Sequence, residues 1–452
     1  MAGPTQPARG MRDFLPDDVR RREYVMGVIA DVYRKYGYEP LETPAVENIE
    51  TLTGKYGEEG NKLIFKILRR GEQETSGGAD LALRYDLTVP LARVVAEYRS
   101  KLPRIFKRYQ IQPVWRADRP ARGRFREFYQ CDVDVVGSKS PLVEAELCAA
   151  ASDVLTRLGF ADFTIRLNHR DVLGALLRGA GVPADRAGDA LVALDKLDKV
   201  GADGVARELE ARGIAEGART NLLAWLGVGA AAGLERPAEW LESIGREIAL
   251  DERERGGFEN LRDIVRLAAE TSAAPHLRLD PSLARGLSYY TGAIMEIAVA
   301  DLTGSLGGGG RYDNLIGMFL GEDVPACGFS LGLERILVVM TERGMFPGSV
   351  AGAASDVLVT LWNMEGAGDA LALAADLRAS GLRVEVYPDA DKLGKQFKYA
   401  SAKGIPFVAV VGEDEAARGE VTVKDMRTGE QRRVPRSETA STLTAPSANP
   451  NR

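Results

Sequence analysis

Four arginines cluster around a short polar turn in the first third of the chain. The turn, residues 117–124, separates two segments that alternate apolar and polar residues, 105–116 and 125–136. Such alternation predicts two paired strands. The planar fork of an arginine matches two oxygens of a phosphate, so the turn is a candidate phosphate site, with a solvated run of charge as the alternative. The four are Arg119, Arg122, Arg124 and Arg126.

The two predicted strands each carry polar residues of both charge signs on one face. Successive side chains of a strand point to opposite faces, which separates these residues from Cys131, Val133 and Val135. The alternative interpretation is a solvent-exposed face, as antiparallel sheets commonly have. The polar residues are Arg108, Gln110, Gln112 and Arg116 on the first strand, and Gln130, Asp132 and Asp134 on the second.

Three further segments carry candidate binding residues. Arg285 precedes a glycine and the pair Tyr289 and Tyr290, and a run of four glycines at 307–310 precedes Arg311, Tyr312 and Asp313. The glycine run matches neither the dinucleotide nor the P-loop pattern. Apolar residues spaced at helical intervals predict an amphipathic helix over 329–344. Its Arg335 lies roughly opposite the apolar stripe, facing solvent or a ligand.

Composition limits the class of protein. The chain has 452 residues, more than the roughly 250–300 at which one core stops growing, so several domains are expected. The net charge of −6 argues against indiscriminate nucleic-acid binding. Three separated cysteines and two histidines give no metal-ligand spacing. No apolar run approaches the roughly 20 residues of a membrane helix, and the N-terminus has no secretion signal, so we expect a cytoplasmic protein without a metal site.

The texture of the chain predicts a succession of domains. Helical spacing with few strand-like segments fills the region between about 171 and 272, and a Pro/Gly/Ala/Ser stretch follows the predicted amphipathic helix. After it, strands and helices alternate as in a small α/β domain. The predicted parts are a first segment with strand-like patterns (1–170), a helical insertion (171–272), a second segment with strand-like patterns (273–346), a linker (347–354), an α/β domain (355–436) and a disordered tail (437–452).

Taken together, these strings resemble the signature motifs of class II aminoacyl-tRNA synthetases, in the form found in histidine–tRNA ligases. The helix predicted from Pro16 to Gly37, with the segment that follows it, is similar to motif 1, whose proline would be Pro44 at a dimer interface. The resemblance covers nearly the whole chain, from about Arg9 to about Val434. The matching segments in chain order are 38–44 (motif 1), 114–134 (motif 2), 285–290 and 309–313 (histidine signatures) and 328–336 (motif 3).

The resemblance implies a fold and a reaction. The fold would be an α+β catalytic domain with a mainly antiparallel sheet flanked by helices, a helical insertion, and a C-terminal α/β anticodon-binding domain. The reaction would activate L-histidine with Mg²⁺-bound ATP to histidyl-adenylate and transfer it to the 3′ end of tRNA(His). A homodimer, no tightly bound cofactor and no membrane partner are implied as well. Lysines among aromatics at 392–399 would suit tRNA phosphates and bases.

The resemblance also implies roles for individual residues. Arg116, Arg285 and Gln130 would be catalytic, with both arginines at the α-phosphate, and Arg335 would hold the γ-phosphate. Ser288 departs from the usual aspartate of the histidine signature. Histidine would contact Asp86, Thr88, Arg116, Gln130, Asp134, Arg285, Tyr289, Tyr290 and Tyr312, and ATP would contact Arg116, Asp118, Arg124 and Arg335.

Three other functions are alternatives to histidine–tRNA ligation for a sequence of this kind. A non-catalytic paralogue that regulates histidine biosynthesis would generally lose the signature arginines and the C-terminal domain. A class II synthetase for proline, threonine or glycine would not need Asp134 with Tyr290 after an Arg-Gly-Leu string. A module that only binds tRNA would have no use for arginines directed at ATP.

Overall fold

The computed structural model describes residues 5–69, 78–235, 237–284 and 289–444. The chain divides into two units, Met1–Met345 and Phe346–Arg452. The predicted linker, 347–354, therefore lies at the start of the second unit, and it contains one short helix, Gly348–Ala351.

An eight-stranded sheet forms the centre of the first unit. Its order is β1-β5-β6-β11-β10-β9-β7-β8, and only the two outermost pairs are parallel, which confirms the mainly antiparallel sheet. A second sheet has the order β2-β4-β3. The strands are β1 (Glu39–Pro40), β2 (Val46–Asn48), β3 (Lys66–Leu68), β4 (Ala79–Leu83), β5 (Phe106–Trp115), β6 (Glu127–Val136), β7 (Thr164–His169), β8 (Leu277–Leu279), β9 (Ala293–Ala298), β10 (Gly307–Arg311) and β11 (Ala326–Gly332).

Helices flank this sheet, and α1 (Pro16–Lys35) illustrates why they form. A proline and two aspartates occupy its first turn, and two basic residues its last, an order that suits the helix dipole. Its apolar stripe of Val25, Ile29, Val32 and Tyr33 is buried. The helix ends at Lys35, two residues before the predicted Gly37. The other helices are α2 (Ile49–Leu52), α3 (Gly57–Lys62), α4 (Thr88–Glu97), α5 (Leu142–Arg157), α12 (Gly317–Leu320) and α13 (Leu333–Glu342).

The region between β7 and β8 is helical, as its composition predicts. A capping box of Asp251 and Glu254 begins its last helix, and Gly181 ends its first in the left-handed conformation. In its described residues the region contains no strand, and it belongs to the first unit. Its helices are α6 (Arg170–Ala180), α7 (Ala187–Leu194), α8 (Leu197–Ala211), α9 (Glu216–Glu235), α10 (Pro237–Glu247) and α11 (Glu252–Ala268).

The helix predicted over 329–344 starts too early. Residues up to Gly332 belong to β11, and α13 begins at Leu333. Phe329 and Leu331 are buried while Ser330 between them is half-buried, the period-2 pattern of a strand. Helical and strand periods coincide over so short an apolar run, and the pairing of β11 with β6 and β10 decides between them.

The second unit is a five-stranded sheet in the order β13-β12-β14-β15-β16. Its first three strands are parallel, as the alternation of strands and helices predicts, and the last two are antiparallel. The elements are β12 (Val357–Val359), β13 (Val384–Val386), β14 (Phe407–Val410), β15 (Glu420–Asp425), β16 (Gln431–Pro435), α14 (Gly348–Ala351), α15 (Ala367–Ala379), α16 (Leu393–Ala402), α17 (Glu413–Arg418) and α18 (Thr439–Thr444).

The prediction of disorder from residue 437 is wrong for 437–444. This segment continues into α18, whose Leu443 packs into the core that α15 shares with the sheet. The burial of Leu443 in this core outweighs the polar composition. Residues 445–452 lie outside the described part of the chain. No helix in the described ranges combines the length and apolar character needed to cross a bilayer.

Candidate active site

The register of β5 with β6 brings their two polar faces together. Arg108 lies opposite Asp134, and Gln110 lies opposite Asp132, so residues predicted separately share one face of the sheet. All four are buried. The alternative of a solvent-exposed face is therefore wrong, because other elements cover this side and enclose a cavity.

Arg108 forms ion pairs with both aspartates of this face. Its Nη2 lies 2.9 Å from Oδ2 of Asp134 and 3.8 Å from Oδ2 of Asp132. Burial raises the pKa of Asp132 to about 7, a shift that Arg108 opposes and Asp134 reinforces. Burial also raises the pKa of Asp134, against the attraction of Arg108 and the hydrogen bond from Tyr312. One guanidinium thus serves two buried carboxylates.

Glycines in β10 and β11 make room beside these carboxylates. A Cβ atom at Gly328 would lie 1.8 Å from Oδ1 of Asp134, and one at Gly309 would lie 2.2 Å from the carbonyl oxygen of Gly328. Gly307, Gly308 and Gly309 all line the cavity. Glycine at 309 and 328 therefore permits a close approach of β10, β11 and Asp134 beside the cavity that a side chain would block.

Three tyrosines form one wall of the cavity. The Tyr312 hydroxyl donates to Oδ1 of Asp134 at 2.5 Å. Tyr289 packs edge-on against Tyr290 and Tyr312, with ring centroids 5.2 and 6.1 Å away. The three rings give the slot above Asp134 an apolar lining with a polar end.

Asp86 lies behind this wall. Its carboxylate accepts hydrogen bonds from the Tyr56 hydroxyl at 2.9 Å, the Val89 amide at 3.0 Å and the Tyr289 hydroxyl at 3.1 Å. Burial raises its pKa. Thr88 lines the cavity, but Asp86 does not. The Asp86 carboxylate thus orients Tyr289 and the start of α4 through these hydrogen bonds.

Arg116 is held at the cavity by the segment that contains Asp86. Its Nε donates to the carbonyl oxygen of Tyr85 at 2.9 Å, and its guanidinium carbon lies 4.4 Å from the Tyr85 ring centroid and 5.2 Å from that of Phe128. One edge of the guanidinium is occupied by this contact. Arg116 lines the cavity, and the planar fork of a guanidinium suits an anion bound there.

Arg335, in the first turn of α13, lines the same cavity. Its Nη1 donates to the carbonyl oxygen of Ser305. Gly123 and Gly304 both have positive φ, and Cβ atoms there would lie 3.1 and 3.2 Å from Arg335 Cγ and Nη1. Nearby, Arg124 Nη2 donates to Oδ1 of Asp118 at 2.9 Å.

A buried arginine ties the motif 1 segment to these elements. Arg84 is 1% exposed, and its Nη1 donates to the carbonyl oxygen of Thr43 at 2.6 Å while its Nε donates to that of Pro113 at 2.8 Å. Its own carbonyl oxygen accepts from the Trp115 amide. The loop before β2, the end of β5 and the residue that holds Arg116 are therefore fixed to one another.

The cavity has a volume of about 420 Å³ and gathers nearly all the predicted site residues. Arg285 lies outside the described residues, so its predicted roles stay predictions, as does the effect of Ser288. Of the candidates in the arginine turn and the glycine-run segment, Arg119, Arg122, Arg126, Arg311 and Asp313 do not line the cavity. Apart from Arg285 and Asp86, every residue that the resemblance assigns to histidine or ATP does line it: Thr88, Arg116, Asp118, Arg124, Gln130, Asp134, Tyr289, Tyr290, Tyr312 and Arg335.

Asp132, Ser330 and Glu296 also line the cavity, although no sequence motif assigns them a role. For Asp132 the available signal is its alternation with Gln130 and Asp134, which puts it on the same face of β6. Ser330 and Glu296 gave no such signal, because they reach the cavity through strand pairing, opposite Asp132 and Gly308 respectively.

Comparisons with known proteins agree with this geometry. A family profile described as histidyl-tRNA synthetase matches residues 10–336, and one described as an anticodon binding domain matches residues 356–445. A histidine–tRNA ligase of Porphyromonas gingivalis is 43% identical, over 96% of this chain and 98% of its own length. One from Gloeobacter violaceus is also 43% identical, over 94% and 95%.

Solved structures give the same result. The crystal structure of histidyl-tRNA synthetase from Nostoc sp. PCC 7120 aligns with a TM-score of 0.82 and 30% identity, covering 98% of this chain and 99% of that one. A Bacillus halodurans structure described as an ATP phosphoribosyltransferase regulatory subunit/histidyl-tRNA synthetase has a TM-score of 0.72 at 22% identity, covering 89% and 97%, and shows a shared fold only. By sequence and by fold, the chain belongs to the histidyl-tRNA synthetase family.

Proposed function

We propose that the cavity activates L-histidine with ATP and then transfers it to the 3′-terminal adenosine of tRNA(His). The histidine carboxylate attacks the α-phosphorus, the bond to the β-phosphate oxygen breaks, and pyrophosphate leaves. A ribose hydroxyl then attacks the adenylate carbonyl and releases AMP. The observation that carries this proposal is that Arg116 and Arg335 line the same cavity as Asp134 and Tyr312.

The ATP half of the site would be cationic. Bringing a carboxylate to a triphosphate demands fixed positive charge where negative charge accumulates. Arg116 would stabilise the α-phosphate and the histidine carboxylate, Arg335 would hold the γ-phosphate, and the Asp118–Arg124 pair would border the nucleotide. Magnesium would arrive on the triphosphate as part of the co-substrate, since Mg²⁺ keeps several waters and binds mainly through phosphates.

The histidine half would select the imidazole ring by hydrogen bonding. Asp134, fixed by Tyr312, would accept from one ring N–H, and Tyr290 lies beside it. Thr88 and Gln130 would receive the α-ammonium. Gln130 Oε1 is buried and has no hydrogen-bond partner among the described residues, so an incoming donor would satisfy it. A site that pairs its ligand's polar atoms discriminates by about 10⁴–10⁵ against analogues that lack them.

The second unit supports tRNA as the partner. Lys392, just before α16, and Lys398, in its middle, are exposed. Lys395 pairs with Asp391 at 2.8 Å, and Lys424 Nζ of β15 lies 4.5 Å from the Phe397 ring. Lysines beside aromatics suit phosphates and unstacked bases. We expect Lys398→Glu to raise the KM for tRNA while leaving ATP–pyrophosphate exchange unchanged, and the protein to act in the cytoplasm, where tRNA is charged.

A homodimer would use the small β2-β4-β3 sheet and the loop before it. Pro44 and Ala45 are exposed, and so are three apolar side chains of this sheet, Val46 at 38%, Leu68 at 60% and Leu81 at 37%. Sedimentation equilibrium should give twice the monomer mass, and Val46→Glu should shift it toward monomer. Leu371→Glu, at an exposed position of α15, is the matched control and should not.

Amino-acid-dependent ATP–pyrophosphate exchange tests the whole proposal. With all twenty amino acids offered singly, we expect exchange with histidine alone. Arg116→Gln should lower kcat by about 10²-fold or more, because it removes charge needed in the transition state. Arg343→Gln is the control: this arginine pairs with Asp162 and Asp301 away from the cavity. Exchange with another amino acid, or none with histidine, would refute the assignment.

Arg285, which lies outside the described residues, can be tested in the same assay. We expect Arg285→Ala to lower the exchange rate far more than it weakens histidine binding. Equal rates for Arg285→Ala and the unaltered chain would show that its catalytic role is wrong. The regulatory alternative predicts no exchange and no charging of tRNA, and it is disfavoured because Arg116, Arg335 and a complete second unit are all present.

A further inference from the structure

Asp132 lies in the middle of the cavity floor. In the sheet it has Gln110 of β5 on one side and Ser330 of β11 on the other. It lines the cavity although only 2% of it is exposed. The Gln130 Nε2 lies 3.5 Å from Oδ1 of Asp132 and also donates to Ser330 Oγ at 3.0 Å. Its nearest partners on either side are thus neutral, and none of them compensates its charge.

The charge balance of the floor is therefore negative. Arg108 is closer to Asp134 (2.9 Å) than to Asp132 (3.8 Å), so the aspartates contribute two negative charges against one positive charge. The charge of Asp86 raises the pKa of Asp132 further. The tyrosines around Asp132 are un-ionised because burial raises their pKa. Among the described residues, the charged and titratable groups that interact electrostatically with Asp132 are Arg108 from β5, Asp134 and Cys131 from β6, Asp86 before α4, Tyr33 from α1, and Tyr290.

We propose that Asp132 is a specificity determinant that makes the slot bind histidine together with one proton, which the imidazole ring shares with Asp132 and Asp134. The inference rests on the proposed function, because it requires histidine in this cavity. An imidazolium ring, or a neutral ring beside one protonated carboxyl, restores charge balance on the floor. A neutral ring over two ionised carboxylates would leave a buried charge uncompensated, which is costly at low dielectric.

The proton balance makes this measurable. The histidine side chain has a reference pKa of about 6.5, and burial raises the pKa of Asp132 to about 7. At pH 8 both are mostly deprotonated before binding, so the complex must take a proton from solvent. Below about pH 6 both carry protons, and binding one shared proton releases the other. Affinity should therefore be greatest between about pH 6 and 7 and fall by up to about tenfold per pH unit above this range.

Proton uptake can be measured directly by titration calorimetry of the full chain with histidine at pH 8. The same titration in phosphate and in Tris, which differ in ionisation enthalpy, gives the number of protons exchanged. We expect about 0.5–1 proton taken up per histidine by the unaltered chain and less than about 0.2 by Asp132→Asn, an isosteric change that removes the titrating group. Asp162→Asn, on the surface beside Arg343, should behave like the unaltered chain.

A weakly basic ring provides the second readout. A triazole analogue of histidine keeps the ring shape but resists protonation, so the unaltered chain should reject it strongly. Asp132→Asn should narrow the gap between histidine and the analogue by about tenfold or more. A purely structural Asp132 would weaken both ligands equally and leave proton uptake unchanged.

The outcomes separate the two proposals. If histidine does not bind in either buffer, the proposed function fails. If histidine binds to the unaltered chain at pH 8 with no proton uptake, the function stands and the inference about Asp132 is overturned, whether or not Asp132→Asn folds. Uptake that persists undiminished in a folded Asp132→Asn would also overturn it, because another group would then hold the proton.

Discussion

The Tyr312 hydroxyl donates a 2.5 Å hydrogen bond to Oδ1 of Asp134, although 178 residues separate the two in the chain. The other carboxylate oxygen lies 2.9 Å from Nη2 of Arg108. A neutral donor on one side and a cation on the other fix the plane of the Asp134 carboxylate. Fixed acceptors discriminate best, because no reorganisation accompanies ligand binding.

Replacing Tyr312 by phenylalanine should weaken histidine binding selectively. The ring stays in place, but Asp134 loses a hydrogen bond of the charged type, which contributes about 1.5–3 kcal/mol. We expect the KM for histidine to rise about 10- to 100-fold, with little change in the KM for ATP, in pyrophosphate exchange. Tyr387→Phe removes a similar phenol–aspartate bond, to Asp391 in the second unit, and should change neither constant; an effect of equal size there would contradict the assignment.

Arg335→Gln should show the opposite pattern. If Arg335 binds the γ-phosphate, losing its charge removes charge-assisted hydrogen bonds to ATP, and the KM for ATP should rise about tenfold or more at an unchanged KM for histidine. Arg343→Gln serves again as the control, since Arg343 and its partners Asp162 and Asp301 do not line the cavity. A rise in the KM for histidine alone would mean that Arg335 contacts histidine and not ATP.

The buried pair of Arg311 and Glu144 makes a prediction about stability. Their charged atoms lie 2.7 Å apart, with side chains 7% and 0% exposed. Glu144→Gln leaves Asp313 as the one ion-pair partner of the guanidinium within the described part of the chain. We expect a loss of about 3–5 kcal/mol in the free energy of unfolding, measured by urea denaturation.

Two comparisons sharpen that test. The double change Arg311→Met with Glu144→Leu should recover most of the loss, because replacing both charges by apolar groups removes the desolvation cost. Glu242→Gln disrupts an exposed pair with Arg246 and should cost less than about 0.5 kcal/mol. Similar losses for Glu144→Gln and Glu242→Gln would show that burial does not govern this ion pair.

His169 should make the stability of the first unit depend on pH. Its Nδ1 accepts the Asp171 amide at the start of α6, and burial lowers its pKa to about 4, below the value of about 6.5 in an unfolded chain. Because the folded pKa is the lower one, the stabilisation is complete above about pH 6.5 and is lost as pH falls toward 4, up to about 3 kcal/mol.

The measurement is the unfolding midpoint at pH 7.5 and at pH 5, for the unaltered chain and for His169→Asn. Asparagine is also a good N-cap residue but does not titrate in this range. The unaltered chain should lose more stability than His169→Asn between the two values. Equal losses would mean that His169 does not remain neutral in the folded protein.

Local pattern was enough to predict much of the fold. The stripe of α1, the polar faces of β5 and β6 and the alternating elements of the second unit all follow from side-chain periodicity, a property of each segment by itself. The failures occur where periodicity is ambiguous or weak. Phe329–Gly332 looks helical until strands pair on both sides, and the polar segment before Leu443 looks disordered until a hydrophobic core receives it.

The sequence by itself determined which residue types face the cavity, because the pleat of a strand puts Gln130, Asp132 and Asp134 on one side whatever surrounds it. Only the tertiary structure decided what those residues experience. It placed Arg108 between two carboxylates, turned Asp86 away from the cavity toward Tyr289, and used Gly328 to make room for Asp134. Burial and charge balance depend on distant segments meeting, and no local pattern contains them.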